Sequence, residues 1–280
     1  MPADDGNSRK IPCACCSGEE FKAALDCEGF SFVRCASCGL VQRNPQPLPE
    51  EIKERYAKLY GDDYLSYELK NEAAFLKLQQ LALTDAGFDK LEKESFARKA
   101  EAPSALDIGC ATGALLDDLR SRGWRVTGVE ISPSAQYAMN TRKLDVRNIP
   151  LEENKFADKS FDVVLASHLI EHLNDPKNFL LEIYRILKDN GFCFITTPNI
   201  RGFQARLFGS SWRSAIFDHL YLFSDISLSN MLKSAGFKIG SIRTWGGLAA
   251  GSAPRWLKKA ADVLAKKSGC GDVMIVRAGK

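Results

Sequence analysis

The stretch Leu106-Asp107-Ile108-Gly109-Cys110-Ala111-Thr112-Gly113, with Glu130 closing the next apolar run, carries the densest chemistry in this chain. It reads strand, glycine turn, helix, strand, acid. Glycines at 109 and 113 let the backbone approach a ligand, and a helix starting near Gly113 offers N–H groups without partners of their own. An acid at the tip of the second strand is placed to accept hydrogen bonds from both hydroxyls of a ribose. The dinucleotide pattern G-x-G-x-x-G, counted from Gly109, requires glycines where Ala111 and Ala114 stand. Asp107, two residues before the first glycine, would repel a phosphate but can orient a ligand ammonium.

A nucleoside with an ammonium, a sulfonium and no phosphate fits this set: S-adenosylmethionine (SAM). Methyl transfer from a sulfonium is an in-line displacement with a neutral leaving group, so the protein mainly aligns the acceptor and removes its proton. Histidine suits that task near neutral pH. The chain has three histidines, His168, His172 and His219. His168 and His172 lie at the carboxyl end of an apolar run, the edge where open α/β sheets bind ligands. His219 sits in Asp218-His219-Leu220-Tyr221-Leu222-Phe223-Ser224, a connection able to fold back over that edge. His219 is the first choice as base, with His168 or His172 as alternatives; His172 reads more readily as a structural residue. His168-x-x-Glu171-His172 also matches an inverted zinc-protease pattern, but that pattern needs the five residues on one helix and a third ligand, and here they straddle a strand end before Asp175-Pro176.

Cys13-x-x-Cys16 and Cys35-x-x-Cys38 form a second constellation. Paired C-x-x-C turns at this spacing fit a tetrahedral Zn(II) site, closed and therefore structural. Cys15 allows a swapped ligand, and Cys27 is spare.

Elements that could position these residues alternate along the chain. Strands are expected near 104–108, 124–130, 144–148, 161–167, 192–197 and 237–244, and helices near 113–122, 133–142, 176–188 and 225–235. This is the signature of an α/β, Rossmann-like doubly wound sheet. Residues 1–10 are expected to be disordered, 11–44 to form a small N-terminal zinc ribbon, and 45–100 to be a linker and helical lead-in. The linker is marked by Asn44-Pro45-Gln46-Pro47-Leu48-Pro49 and the lead-in by a helix over 67–83, with a charged surface segment at 84–101. The catalytic domain is expected to span 101–280.

The central region resembles the class I SAM-dependent methyltransferases. Asp107 to Gly113 is similar to their first motif, Val126 to Ser132 to their ribose-binding strand end, and Ser160 to His168 to their fourth strand. Leu187-Lys188-Asp189-Asn190-Gly191 then leads into a fifth. More narrowly, the chain resembles bacterial members with an N-terminal zinc ribbon, a group linked to sugar and polysaccharide pathways that carries a segment like the one around His219. The resemblance implies a seven-stranded sheet with Asp272 to Arg277 as an antiparallel last strand. It also implies a cofactor set of Asp107, Gly109, Cys110 and Gly113 at the methionine end, Glu130 and Ile131 at ribose and adenine, and Ser167 and His168 at the fourth strand's end. Pro150 stands where an adenine-reading polar residue is expected, leaving the Leu151 backbone or the Glu152 side chain. Tyr60 and Tyr64 are candidates to close over the cofactor, although packing is the simpler role for such aromatics. The implied reaction is O-methylation of a sugar, glycan or lipid-linked saccharide hydroxyl; the alternatives are a quinone-type or other aromatic acceptor, and an RNA.

Composition narrows these options. The net charge is +3 with 45% hydrophobic residues, which does not describe a general polyanion binder. The ribbon sets Lys22 and Arg34 against Glu19, Glu20, Asp26 and Glu28, which disfavours nucleic acid. No signal peptide or membrane-length apolar run is evident, so a cytoplasmic protein is expected. From Lys238 onward bases outnumber acids. Residues 246–270 read as a mobile loop plus a basic amphipathic helix, with Trp256, Leu257, Ala260, Ala261 and Leu264 on one stripe. The plain expectation packs that stripe on the body; the other is peripheral contact of 254–267 with the inner membrane face.

Overall fold

The computed structural model describes residues 8–52, 62–98, 101–247 and 254–280. Seven strands form its main sheet: β6 (Ser104–Ile108), β7 (Arg125–Val129), β8 (Val146–Arg147), β9 (Phe161–Ser167), β10 (Leu187–Pro198), β12 (Lys238–Trp245) and β13 (Val273–Gly279). Side by side they run β12-β13-β10-β9-β6-β7-β8. Pairing is parallel from β8 through β10, and β13 is antiparallel to both its neighbours. This is the α/β, doubly wound sheet with an antiparallel last strand that the sequence implies.

Helices on both faces explain why β6 and β9 are buried nearly throughout and read as continuous apolar runs. Helix α5 (Pro176–Ile186) shows how one is fixed. Asp175 caps it by accepting the Asn178 N–H at 2.9 Å, and Pro176 opens its first turn. Phe179, Leu180, Ile183 and Ile186 then form the stripe it buries. Helix α7 (Asp225–Ser234) starts with a reciprocal cap between Ser224 and Ser227. Helix α3 (Ala114–Ser121) follows the glycine turn, and α4 (Ser134–Asn140) follows Glu130.

Several boundaries differ from expectation. Strand β8 keeps only two of the residues expected at 144–148. Leu187 ends the α5 pattern by sequence but is extended, because it pairs with Phe161 as the first residue of β10. The lead-in helix α1 is longer than expected (Asp62–Ala86), and the charged segment after it holds α2 (Phe88–Arg98). The many charges of α2 mask its buried edge: Phe88 and Leu91 are covered, and Phe88 stacks on Trp124 and meets Phe194 edge-on.

The N-terminal unit is knitted into the body. Strands β2 (Phe21–Cys27), β3 (Phe30–Cys35) and β4 (Val41–Arg43) form an antiparallel sheet whose fourth member is β11 (Tyr221–Leu222), a piece of the connection that carries His219. Disorder over 1–10 does not hold at its end: β1 (Ser8–Arg9) pairs with β5 (Gln46–Pro47). The proline run is likewise not a free linker. Asn44-Pro45 is a cis peptide and Gln46 is fully covered.

The tail helix α8 (Arg255–Ser268) lies against β12. It does so with its small residues: Ala265 is buried and its carbonyl accepts the Thr244 hydroxyl at 3.2 Å. Trp256, Val263 and Leu264 point outward, Trp256 with 72% of its surface exposed. Trp256 and Leu264 of the expected stripe thus face away from the body, against the expectation, while the side chain of Leu257 lies outside the described residues. The loop residues 248–253, expected to be mobile, lie outside the described residues.

Close packing of α3 on β7 depends on Gly128. A Cβ there would stand 2.7 Å from Cys110 Sγ and 2.8 Å from Leu116 Cδ1. We expect Gly128→Ala to lower unfolding free energy by about 1–3 kcal/mol, read as a reduced urea midpoint with an unchanged slope.

Candidate cofactor and reaction site

At the carboxyl edge of β6 the chain makes a left-handed bend, with φ of +76° at Gly109, +49° at Ala111 and +78° at Gly113. The N–H groups of Gly109 and Cys110 both donate to the Val129 carbonyl. Gly113 is required twice over, since a Cβ would also meet Leu144 Cδ1 at 2.5 Å. Glu130 ties this bend to the end of β7: Oε2 accepts the Ala111 N–H at 2.9 Å and Oε1 accepts the Ser132 N–H at 2.7 Å. A carboxylate has about four acceptor positions, so two remain for a ligand.

Asp107 lies beneath the bend with 2% of its surface exposed. Burial, and secondarily the Glu130 charge, push its carboxyl up to about 7. Cys110 is buried and its thiol is raised for the same reason, so it contributes shape and not charge. Ile131 is exposed on the rim beside Glu130, as an apolar platform would be. Leu151 is buried, so only its backbone can face a ligand, while Glu152 is exposed.

Helix α1 supplies residues the sequence reading missed. Glu72 accepts from the Thr112 hydroxyl at 2.7 Å and from Arg142 at 2.6 Å, and Glu68, largely buried, accepts from Ser134. The two acids stand one turn apart on one face of α1, a spacing visible in the sequence once the helix is drawn. Asn148, just after β8, donates to the Glu130 carbonyl at 2.7 Å. Tyr64 lies half-buried on α1 with its ring centroid 6.3 Å from that of Tyr67, and Tyr60 lies outside the described residues.

Next to the bend lies the histidine cluster, and Leu169 joins the two: its Cδ2 would be 3.6 Å from a Cβ on Gly109. Ser167 ends β9, half-buried, and His168 follows at φ +52° with half its side chain exposed. Strain of this kind in a residue other than glycine is concentrated at functional sites. His168 Nδ1 is 3.3 Å from Glu171 Oε1, and Glu171 Oε2 accepts the Thr197 hydroxyl at 2.9 Å. Glu171 is 1% exposed. Burial opposes its charge, but the His168 imidazole beside it, and then the field of His172 and His219, hold its pKa down at about 2.

His172 and His219 stand behind this pair, rings edge to face with centroids 4.6 Å apart. His172 Nδ1 is 2.9 Å from the Asp218 carbonyl, and His219 Nδ1 is 2.8 Å from the Ser214 carbonyl. A ring nitrogen facing a carbonyl must carry the proton, which fixes each tautomer. Burial, then His172, lower His219 to about 4, so it is neutral at physiological pH. The structure thus brings all three histidines together, but His168 faces the open edge while His219, the first choice from sequence, is nearly covered. The residues His168 to His172 pass through a single 3-10 turn, not the long helix an inverted zinc-protease site needs.

The four cysteines also converge. Cys13 and Cys38 sulfurs are 3.4 Å apart, Cys16 and Cys35 3.5 Å, and all four lie within 4.8 Å of one another. A tetrahedron of Zn–S bonds near 2.3 Å places sulfurs about 3.8 Å apart, within this spread. Against its burial, backbone N–H groups of Cys38 and Ser37 lower the Cys35 thiol, while burial raises those of Cys13 and Cys38. Buried Gln42 of β4 pins the first knuckle, accepting from Ala14 N and donating to the Pro12 carbonyl. Cys15 and Cys27 stay outside the cluster.

Comparison with known proteins agrees with this geometry. The model of the Methyltransferase domain family matches residues 76–242, more than half of the chain. A ubiquinone biosynthesis O-methyltransferase of Rickettsia conorii is 30% identical over 140 residues, 48% of this chain and 46% of that protein. One from Pelagibacter ubique is 34% identical over 99 residues, 34% of this chain and 41% of its own length. The chain therefore spans about half the length of the curated relatives it matches. Among solved structures, a SAM-dependent methyltransferase of Thermotoga maritima superposes with a TM-score of 0.56 at 22% identity, covering 82% of this chain and 98% of that one. With the sheet order, the glycine bend and the acid after β7 all in place, the chain belongs to the class I SAM-dependent methyltransferases.

Proposed function

We propose that this enzyme methylates a hydroxyl of a small aromatic, quinone-type acceptor, with His168 taking the proton. The observation that carries the reading is the pair His168–Glu171: a half-exposed imidazole at the sheet edge, backed by a fully buried carboxylate, one residue from the Leu169 that touches the glycine bend. The relatives named as ubiquinone biosynthesis O-methyltransferases support the acceptor class. The sugar or glycan acceptor expected from the sequence finds no support among them.

SAM, when bound, supplies an electrophilic methyl group on a cationic sulfur. The chain's own residues do the rest. Glu130 holds the ribose hydroxyls, the 109–113 bend makes room for the methionine end, and Asp107 attracts its ammonium. Proton removal falls to His168. Nδ1 is the ring nitrogen that stands 3.3 Å from Glu171, so Nε2 is left to accept the hydroxyl proton, and Glu171 balances the resulting imidazolium. Neutral His219 adds no positive charge to the cluster.

A structural Zn(II) on Cys13, Cys16, Cys35 and Cys38 belongs to the same proposal. Its effect would pass through β4, whose Arg43 N–H donates to the Leu220 carbonyl at 2.8 Å.

Cys35, Asp107 and His168 each carry expected outcomes. Cys35→Ser should lose bound zinc by atomic absorption and speed hydrogen exchange at Tyr221 and Leu222, the residues paired with β4. SAM affinity by calorimetry should tighten as pH rises through about 7, because only ionised Asp107 attracts a cation. Asp107→Asn should flatten that profile. It should also stabilise the ligand-free protein at high pH, since a carboxyl raised in the fold loses its stability contribution as pH rises through the folded pKa. His168→Asn should lower kcat on a catechol acceptor by roughly 100-fold or more with SAM affinity kept; methylation of a nucleotide sugar in preference to every phenol tested would refute the acceptor class.

A further inference from the structure

Helix α8 and the short helix α6 (Phe203–Phe208) leave a second surface unexplained. Both are rooted at the edge of the sheet that carries the cofactor bend. Strand β10 ends at Pro198 and the chain enters α6; β12 ends at Trp245 and the chain passes to α8 before β13 returns from that edge. The helices are linked there: Phe203 N donates to the Cys270 carbonyl at 2.9 Å, and Gly247, which accepts from buried Gln204, donates to Asp262 of α8 at 2.8 Å.

Each helix turns large apolar groups outward. On α8 these are Trp256, Val263 and Leu264, which spacings of seven and eight residues place on adjoining strips of one face. On α6 they are Phe203, Leu207 and Phe208, all about half exposed. Cations frame them. Lys259 and Lys267, both exposed, lie on the outward face of α8 and form no ion pair among the described residues, and Arg206 is exposed on α6. Lys258 and Lys266, by contrast, are engaged by Asp262 and Asp85. Over 238–280 nine basic residues face two acids, Asp262 and Asp272, and both acids are bonded inward, Asp262 to Gly247 and Asp272 to Trp212 and Arg213.

We propose that this face docks on an anionic lipid bilayer, with Trp256, Leu264 and Phe203 entering the headgroup boundary and Lys259 and Lys267 meeting lipid phosphates. The charge decides the occupant: an outward apolar face framed by uncompensated cations is the arrangement that binds anionic interfaces in plane. No helix among the described residues is long and apolar enough to cross a membrane, so the contact is peripheral. It sets the acceptor entrance on the lipid side of the molecule, and it stands independently of which acceptor is methylated.

Flotation of the full chain with phosphatidylcholine vesicles, with and without about one-quarter phosphatidylglycerol, tests this. Binding is expected only with the anionic lipid, with release in about 0.5 M salt. Lys259→Glu with Lys267→Glu should weaken partitioning about thirtyfold or more, and Leu264→Glu should weaken it while SAM affinity by calorimetry stays that of the parent, which shows that the variants fold. Absence of the parent from anionic vesicles, or equal partitioning of parent and variants, overturns the proposal. So does a dimer that Leu264→Glu converts to monomer in light scattering, which assigns the face to a second copy, or a charge-dependent retention of single-stranded RNA without vesicle binding.

Discussion

A short backbone ladder holds the reaction edge together. Arg43 N–H of β4 donates to the Leu220 carbonyl, and Leu220 N–H donates to the Glu171 carbonyl, each at 2.8 Å. Three parts far apart in the chain are thereby fixed: the cysteine unit, the connection bearing His219 and the turn bearing Glu171. Side chains reinforce it. The buried Arg43 guanidinium lies 3.7 Å over the Phe217 ring and donates to the Phe217 carbonyl, and the Tyr221 hydroxyl donates to the Asn174 carbonyl. The N-terminal unit is thus bonded, through Leu220, to the turn that carries the histidine cluster.

Two buried carboxyls on this edge behave in opposite ways, and the difference is their company. Asp107 has burial and the like charge of Glu130 around it and rises to about 7. Glu171 is just as deeply buried yet falls to about 2, because His168 lies 3.3 Å from it and two further histidines surround it. An isolated charge in such a place is costly unless paired. The first carboxyl is therefore suited to receive a cationic ligand, while the second already has its partners and serves to orient them.

Much of this could be read from residues alone. The glycine bend, the acid after β7 and the strand order follow from local patterns: φ-positive glycines, continuous apolar runs and capping residues such as Asp175 and Ser224. The pairing of cysteines followed from spacing. Hidden features were those set by tertiary context. Glu68 and Glu72 read as a solvated helix face until Thr112, Ser134 and Arg142 are brought to them. Two-residue β11 has no sequence signal, since its pairing is decided by β4. Exposure separated His168 from His219, and no periodicity encodes that. On α8 the apolar stripe was legible but its direction was not: Ala265 is buried while Trp256 and Leu264 are exposed.

The place of β13 bears on synthesis. Strand β12 has one neighbour in the sheet, and it is β13. A ribosome releasing this chain can deliver β6 to β10 with their helices as a finished parallel block, but β12 must wait, its backbone groups unpaired, until the later strand inserts between it and β10. Assembly of the sheet therefore closes from the inside, and a nascent chain stalled short of Val273 would expose two open strand edges to neighbouring polysomes.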